Sequence, residues 1–283
     1  MKIIGMDIGG TKINAALVDG NRIIRKESVP TPYDRPAATV LNTVMEILKN
    51  LFEDDVAGIG IGVPGLVDLD KNLVLDVLNI PSWTTVPLKA DMEKKFGIPV
   101  FVNNDANCFA LGERYFGKGK KYQNFIGVSL GTGLGTGIII NGRLYSGRFS
   151  GAGEFGLVIY RDKCLEAYAS GQFFKDQGLK GDEIAEQARK GDPTALNLIH
   201  EMGEHLGRAV IDIMFALAPE AIIFGGSVSR SFDLFGDSMR KVIEKEFPYQ
   251  RLYHAMDIEI STLKESAVLG AASLVLENLP EKK

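Results

Sequence analysis

One pattern occurs twice in the sequence and limits the folds that the chain can adopt. A short apolar segment leads into a turn rich in glycine and threonine, Asp7-Ile8-Gly9-Gly10-Thr11-Lys12 in the first copy and Gly131-Thr132-Gly133-Leu134-Gly135-Thr136-Gly137 in the second. Each turn is followed by another apolar segment and then by a hairpin signal, Asp19-Gly20 or Asn141-Gly142, before a third strand. The repetition predicts one three-strand unit that is used twice.

Both turns are suited to binding phosphate. Glycines lack a Cβ and let backbone N–H groups approach an anion, and the threonines add hydroxyl donors. Neither turn is a Walker loop, because the pattern Gly-x-x-x-x-Gly-Lys-Ser/Thr is absent, and neither is a dinucleotide-binding fingerprint, because each leads into a strand and not into a helix. For either turn alone, a simple connection between strands is the alternative. The pair together predicts a cleft that holds a polyphosphate from both sides.

The size and composition are those of an ordinary globular protein. The chain has 283 residues, of which 45% are hydrophobic and 24% charged, enough for two domains with full cores. The net charge of −4 gives no reason to expect a nucleic acid partner. No apolar run approaches the roughly 20 residues that a bilayer-spanning helix needs, and no signal-peptide pattern follows Met1. We therefore expect a cytoplasmic protein with no membrane partner and with Cys108 and Cys164 as free thiols.

The rest of the first half alternates between helical and strand-like patterns. Apolar residues spaced by three and four predict a helix at 36–51, and further helices are expected at 88–96 and 106–115. Apolar runs predict strands at 56–63 and 99–103. Three strands followed by alternating helix and strand indicate a mixed sheet that is covered by helices.

The second half begins after Gly117-Lys118-Gly119-Lys120-Lys121. This polar stretch predicts a flexible, solvated linker between two domains, and a basic patch is the alternative. Beyond the second three-strand unit we expect a variable region at 148–189, a helix at 194–217 and a strand at 221–224.

Two glycine-containing segments close the chain. Gly225-Gly226 directly follows the strand at 221–224, at the position where α/β sheets usually bind ligands. The last helix, at 266–276, carries Leu269-Gly270-Ala271-Ala272, and these small residues permit close packing.

The motifs of this chain resemble those of the ROK family, the repressor, open-reading-frame and kinase group within the actin-like ATPase and sugar kinase fold. The resemblance extends over nearly the whole chain. It rests on Asp7-Ile8-Gly9-Gly10-Thr11-Lys12, Gly62-Val63-Pro64-Gly65, Asn104-Asp105-Ala106-Asn107, Gly131-Thr132-Gly133, Gly151-Ala152-Gly153-Glu154, Cys164-Leu165-Glu166, Gly225-Gly226 and Leu269-Gly270-Ala271-Ala272.

The resemblance implies an α/β fold of two actin-like domains, with the duplicated three-strand unit and helices flanking each mixed sheet. It implies a first domain at 1–116, joined by the C-terminal helix at 266–278, and a second domain at 117–283. The implied activity is ATP-dependent phosphorylation of a hexose-type sugar with Mg²⁺. Glucose or an N-acetylhexosamine is the expected acceptor, and a homodimer or larger homo-oligomer is the expected assembly.

The resemblance also implies a donor site. Asp7 is similar to the carboxylate that orients hydrated Mg²⁺, an ion that keeps most of its waters and needs only one or two carboxylates besides phosphate oxygens. The nucleoside is expected over Gly225 and Gly226, for which a plain helix-start turn is the alternative. The residues expected around the phosphates are Gly9, Gly10, Thr11, Lys12, Gly131, Thr132 and Gly133.

Asp105 is the expected catalytic base. It follows a predicted strand and precedes a predicted helix, so it should lie at the carboxyl edge of the sheet, where it can accept the proton of an attacking sugar hydroxyl. The alternative is that Asp105 only caps the helix expected from Ala106. The other residues that the resemblance implies for sugar binding are Gly65, Asn79, Asn104, Glu154 and Glu166.

The chain departs from the family pattern in one region. Most members have a histidine after Glu154-Phe155-Gly156 and a cysteine-rich loop that together bind zinc, whereas this chain has Leu157 and, of the cluster, only Cys164. One cysteine cannot form a tetrahedral zinc site, so we expect no zinc. Leu157 cannot form the hydrogen bond to the sugar that the family histidine provides, which leaves the identity of the sugar open.

Two alternatives to an ATP-dependent hexose kinase follow from the resemblance. The chain could be a sugar-responsive regulator without strong catalysis, although family repressors carry a helix-turn-helix before the first strand and here that strand follows Met1 directly. It could also be a kinase with an unusual acceptor or with inorganic polyphosphate as donor. Retention of both Asp7 and Asp105 favours catalysis over sensing.

Overall fold

A computed structural model describes residues 1–77 and 79–279 of the chain. The strands are β1 (Lys2–Ile8), β2 (Lys12–Asp19), β3 (Arg22–Pro30), β4 (Val56–Val63), β5 (Leu66–Asp68), β6 (Leu73–Leu75), β7 (Thr85–Val86), β8 (Val100–Asn104), β9 (Phe125–Leu130), β10 (Leu134–Ile140), β11 (Arg143–Leu144), β12 (Ile159–Tyr160), β13 (Lys163–Cys164), β14 (Ala221–Gly225) and β15 (Asp257–Ile260). The helices are α1 (Ala37–Leu51), α2 (Leu88–Phe96), α3 (Asp105–Tyr115), α4 (Leu165–Ala169), α5 (Gln172–Lys175), α6 (Gly181–Arg189), α7 (Pro193–Leu217), α8 (Phe232–Glu246), α9 (Gln250–Ala255) and α10 (Ser266–Asn278).

The duplication expected from the glycine turns is present in the two main sheets. The strand order β3-β2-β1-β4-β8 of one sheet is repeated as β11-β10-β9-β14-β15 in the other. In the first sheet β1 is antiparallel to β2 and parallel to β4, and in the second sheet β10 is antiparallel to β11 while β14 is parallel to both β9 and β15. Both sheets are therefore mixed, and the predicted α/β fold class with a repeated three-strand unit is confirmed.

The chain divides into two compact units. The first comprises residues 1–121, 137–152 and the segment that begins at Leu263, and the second comprises Tyr122–Thr136 and Gly153–Thr262. The domain boundaries expected from the sequence placed 137–152 in the second domain, and they stay a prediction. Among the residues that the structure describes, none of the helices has the length and apolar character of a membrane span.

Local sequence accounts for the ends and faces of the longer helices. Helix α1 buries Val40, Val44 and Ile47 on one face, the spacing of a helix that packs by a single side. Helix α7 begins where the Asp192 side chain accepts a hydrogen bond from the Ala195 N–H at 2.8 Å, a standard N-terminal cap.

Helix α10 packs against the first sheet by direct approach of the two backbones. Strand β4 is buried along most of its length, and a methyl group at Gly60 would overlap the carbonyl of Ala271 on α10. On another face of the helix, a methyl group at Gly270 would overlap the carbonyl of Cys108 on α3. The small residues of α10 thus let this helix lie in backbone contact with both β4 and α3.

The segment expected to be a flexible linker is instead ordered. Residues Lys118–Lys121 form a short 3-10 helix, with Gly119 buried. The fully buried Glu113 carboxylate at the end of α3 accepts a hydrogen bond from the Lys118 N–H at 2.9 Å. The expectation of a flexible stretch was wrong because this carboxylate organises the segment, whereas Lys120 and Lys121 are exposed to solvent as expected.

No element is predicted from the sequence between the strand at 221–224 and the last helix. The structure has α8, α9 and β15 there. Helix α8 buries Phe235, Met239 and Ile243, so it carries an apolar face at helical spacing. It packs mainly on α7.

The close approach at Gly60 predicts a large loss of stability for Gly60→Ala. We expect the free energy of unfolding to fall by about 3 kcal/mol, because the added methyl meets a backbone carbonyl that cannot rotate away. Gly58→Ala, on the same strand, is the matched control, since its methyl would meet the Val275 side chain at 2.9 Å and the carbonyl of Pro99 at 3.2 Å. It should cost about 1 kcal/mol. Urea unfolding of both variants measures the difference, and equal losses would contradict the interpretation.

Candidate active site

The first glycine turn joins β1 to β2 and is held in shape by Thr31. The Gly9 N–H donates to the Lys12 carbonyl at 3.0 Å, which closes the turn. The buried Thr31 donates its hydroxyl to the Gly9 carbonyl at 2.6 Å and its N–H to the Thr11 carbonyl at 2.9 Å. All three of these hydrogen bonds use a backbone carbonyl of the turn as the acceptor. Thr31 carries no sequence signal of this role, because it lies beyond β3 in the chain.

Asn79, expected to bind substrate, lies beside the same turn. A Cβ at Gly10 would be 2.6 Å from the Cβ of Asn79, so only glycine leaves room for this neighbour. The structure therefore brings together, within the first unit, one residue expected to contact the phosphate donor and one residue expected to bind the sugar. Thr11 and Lys12 are exposed at the end of the turn.

Asp7 and Asp105 form a pair of carboxylates that repel each other. Burial and then the charge of Asp105 raise the pKa of Asp7 to about 7, against a hydrogen bond from Asn14 that lowers it. Burial and the same two carboxylates hold the pKa of the Cys108 thiol well above its ordinary value. A cation placed at this pair would relieve the repulsion.

Asn104, and not Asp105, is the N-cap of helix α3. Its side-chain oxygen accepts hydrogen bonds from the N–H groups of Ala106 at 2.8 Å and Asn107 at 3.3 Å, and its amide nitrogen donates to the Gly65 carbonyl at 3.1 Å. Helix α3 thus begins at Asp105, one residue earlier than expected. The Asp105 side chain is exposed and accepts a bond from the Ala106 N–H at 2.8 Å. Because Asn104 supplies the cap, the alternative that Asp105 serves only as the N-cap of this helix is wrong.

The second glycine turn joins β9 to β10 and is held by the segment between α4 and α5. The Gly131 N–H donates to the Gly133 carbonyl at 3.0 Å. The buried Ser170 hydroxyl donates to the Thr132 carbonyl at 2.7 Å, and the Gly171 N–H donates to the Gly131 carbonyl at 2.8 Å. Ser170 was not among the residues expected from the sequence, and no motif marks it.

The two glutamates expected to bind sugar lie near each other in the second unit. The Glu166 carboxylate accepts a hydrogen bond from the Leu134 N–H at 2.8 Å and lies directly against Gly133, where a side chain would overlap it. Partial burial and the charge of Glu166 raise the pKa of Glu154. The bond from Leu134 and the contact with Gly133 hold Glu166 against the second glycine turn.

A cavity of about 610 Å³ opens beside the second glycine turn, large enough for a small-molecule ligand. Gly131 and Thr132 line one side of it, and Ser227 lines another. Gly226 has φ +90° and lies against the Leu130 carbonyl, which brings the Gly225-Gly226 turn next to the second glycine turn. The apolar part of the wall includes Phe174, Ala185, Ile199, Met202 and Phe235.

No motif in the sequence marks the walls of this cavity. Met202 lies on α7 and Phe235 on α8, and each follows the apolar spacing of its own helix. Such residues look like ordinary core residues in the sequence. Only the packing of α7 on α8 shows that they border an open space.

The part of the chain that the structure describes contains no group of three or more His, Cys, Asp or Glu side chains arranged to hold a metal ion. Cys164 lies on the short strand β13, opposite Ile159 of β12. Beside this hairpin, the Tyr160 hydroxyl lies 3.1 Å from Nδ1 of the buried His205. The histidine is thus packed among aromatic rings in the second unit.

The sequence model of the ROK family matches residues 3–278. The glucokinase of Thermotoga maritima is 31% identical over 314 residues, which cover 99% of this chain and 98% of that protein. The structure of a ROK family glucokinase from Streptomyces griseus, in complex with glucose and AMPPNP, is 34% identical with a TM-score of 0.82 and covers 97% of this chain and 99% of that one.

Regulators are also among the relatives. The xylose repressor of Bacillus subtilis is 29% identical over 298 residues, which cover 97% of this chain and 77% of that protein. On the match from residue 3 to residue 278 and the end-to-end similarity to these proteins, the chain belongs to the ROK family.

Proposed function

We propose that this chain is a sugar kinase that transfers phosphate from ATP to a hydroxyl of a hexose-type sugar. The observation that carries the proposal is the placement of Asp105. This carboxylate is exposed at the first position of α3, beside Asp7, while Asn104 supplies the helix cap. The similarity to the glucokinases of Thermotoga maritima and Streptomyces griseus supports the reaction and favours glucose as the acceptor.

Asp105 acts in this proposal as the general base. It accepts the proton of the attacking hydroxyl as the new bond to the γ-phosphorus forms and the bond from that phosphorus to the bridging oxygen of ATP breaks, so that ADP leaves. The protonated Asp105 then releases its proton to water. Asn104 and Gly65, joined by the 3.1 Å hydrogen bond, lie next to it and are proposed to orient the sugar. Asn79, Glu154 and Glu166 are proposed to accept further sugar hydroxyls.

Asp7 is proposed to orient Mg²⁺ through its water shell. The fit rests on its raised pKa, since a carboxylate forced beside Asp105 favours either a proton or a cation. When bound, the ion neutralises charge on the phosphate groups of the donor. Asp7 itself only fixes the position of the hydrated ion.

The donor is proposed to use both glycine turns and the cavity of the second unit. Backbone N–H groups of the turns suit phosphate oxygens, and the apolar walls around Met202 and Phe235 suit a purine ring. The residues proposed to contact the donor are Gly9, Gly10, Thr11, Lys12, Gly131, Thr132, Gly133, Gly225 and Gly226. Polyphosphate, which has no base, would leave the apolar part of the cavity unused.

A sugar-responsive regulator is the second candidate, favoured by the similarity to the xylose repressor of Bacillus subtilis. A regulator needs sugar binding but neither a general base nor a magnesium carboxylate.

The side chain of Leu157 is 60% exposed near Glu154 in sequence and offers a sugar no hydrogen bond. The choice of hexose therefore stays open between glucose and an N-acetylhexosamine.

Asp105→Asn should abolish sugar-dependent ADP release from Mg-ATP. We expect the turnover number with the preferred hexose to fall about 10²–10⁴-fold, because the amide cannot accept the proton. A panel of hexoses, amino sugars and polyols identifies the acceptor. Asp54→Asn is the matched control, since Asp54 is exposed before β4, at the opposite end of the first sheet from Asp7. Sugar binding without turnover in the unmodified protein would instead support the regulator.

Asp7→Asn should stabilise the protein above neutral pH while impairing turnover. The unfolded chain releases the Asp7 proton near the ordinary pKa of 3.8, whereas the folded protein keeps it to about 7. Stability of the unmodified protein therefore falls as pH rises between these values. The variant lacks this loss and should gain about 1–3 kcal/mol above pH 7 after allowance for solvent screening. Thermal melts from pH 4 to 8 measure the gain, and a pH-independent difference would contradict the assignment.

Ala185→Leu should weaken ATP binding by filling the cavity. Ala185 is buried on α6 and borders the open space. We expect the KM for ATP to rise at least tenfold, by about 1.4 kcal/mol of binding free energy, with little change in the KM for the sugar. Repeating the assay with polyphosphate separates the two donors, since only a donor with a base should be affected.

A further inference from the structure

The loop that follows β11 contains two adjacent residues with a strained backbone conformation. Phe149 and Ser150 both have φ +56°, in the left-handed region that L-residues rarely adopt. Ser150 is buried, and the Phe149 ring stacks on the Arg148 guanidinium at 4.8 Å. Strain of this kind persists only where the surroundings enforce it, and it clusters at functional sites.

Hydrogen bonds join this loop to the end of β8, the start of α3 and strand β5. Asn107 is completely buried and donates one amide hydrogen to the Ser150 carbonyl at 3.3 Å and the other to the Asn103 side-chain oxygen at 3.0 Å. Asn103 in turn donates to the Ser146 hydroxyl at 3.2 Å. The Ser150 hydroxyl donates to the Val67 carbonyl at 3.3 Å.

The buried Asn107 side chain forms hydrogen bonds only through the two hydrogens of its amide nitrogen. Its side-chain oxygen has no hydrogen-bond partner among the described residues, although a buried unpaired oxygen is unfavourable. An apolar side chain would avoid that penalty but could not bond Ser150 or Asn103. The proposed phosphate transfer assigns Asn107 no role, so this bonding needs another explanation.

The same turn of helix carries the proposed base. Asn103 also accepts a hydrogen bond from the Asn104 N–H at 2.8 Å, and Asp105 lies between the cap residue Asn104 and Asn107. The network therefore fastens the strained loop to the backbone that sets the position of Asp105. Relaxation of the loop would remove two of the bonds that fix the first turn of α3.

We propose that residues 146–152 form a strained clamp on the first turn of α3 and that Asn107 is the positioning residue that holds the clamp closed. Asn107 does not touch the reacting atoms. It acts through the loop and through Asn103, so that the carboxylate of Asp105 stays in place. The kinetic part of this proposal rests on the proposed kinase function, whereas the structural part does not.

Asn107→Leu tests the clamp, because leucine has a similar volume and no donors. Hydrogen exchange of the free protein should become at least tenfold faster in peptides that cover 146–152. The turnover number should fall about 10–100-fold, while the KM for ATP stays within twofold. Asn107→Ser serves as the second variant if the leucine variant does not fold, and Asn197→Leu, an exposed asparagine on α7, is the matched control.

Glycine at positions 149 and 150 supplies the decisive rescue. Glycine adopts φ +56° without strain, so Phe149→Gly with Ser150→Gly should recover at least fivefold of the turnover lost in Asn107→Leu. Unchanged exchange of the loop in Asn107→Leu would overturn the clamp, and so would a loss of turnover that the glycines do not recover. If the unmodified protein phosphorylates no sugar, the kinase proposal fails, while the exchange experiment still decides whether Asn107 holds the loop.

Discussion

The first unit depends on the contact between the backbones of α10, β4 and α3. Gly60 and Gly270 remove the side chains that would separate these elements, so that α10 touches the sheet on one face and α3 on another. This arrangement brings the carboxyl end of β4 next to the start of α3, where Gly62 lies against Cys108. Asp7 on β1 and Asp105 on α3 interact electrostatically at the same place. The proposed chemistry thus depends on how closely one helix approaches a sheet.

Two features of this region store unfavourable energy. The Asp7 carboxylate is held beside Asp105 at a raised pKa, and Phe149 and Ser150 are held in a left-handed conformation. Neither feature benefits the folded protein by itself, and both lie around the first turn of α3. Such local costs are common where a protein prepares a site for a ligand or a transition state. Their coincidence is physically consistent with a site that is completed by a cation and a substrate.

The two glycine turns are stabilised in the same way by unrelated parts of the chain. Thr31, which follows β3, bonds the carbonyls of the first turn, and Ser170, which precedes α5, bonds a carbonyl of the second. In each case a hydroxyl occupies carbonyl groups of the turn. The two turns are therefore supported by the same kind of hydrogen bond, although the supporting residues occupy different places in the sequence and lie outside the repeated three-strand unit.

Local patterns determined much of this protein without reference to its tertiary structure. The repeated turns, the buried strand β4 and the helices α1 and α2 follow from periodicity and glycine placement, because neighbouring residues decide them. Only the tertiary structure decided which residue caps α3, where Glu166 lies, how 117–121 is ordered and which residues support the turns. Those outcomes depend on contacts between distant segments, such as Glu166 with Leu134 and Asn107 with Ser150. A single sequence carries no local signal for such contacts.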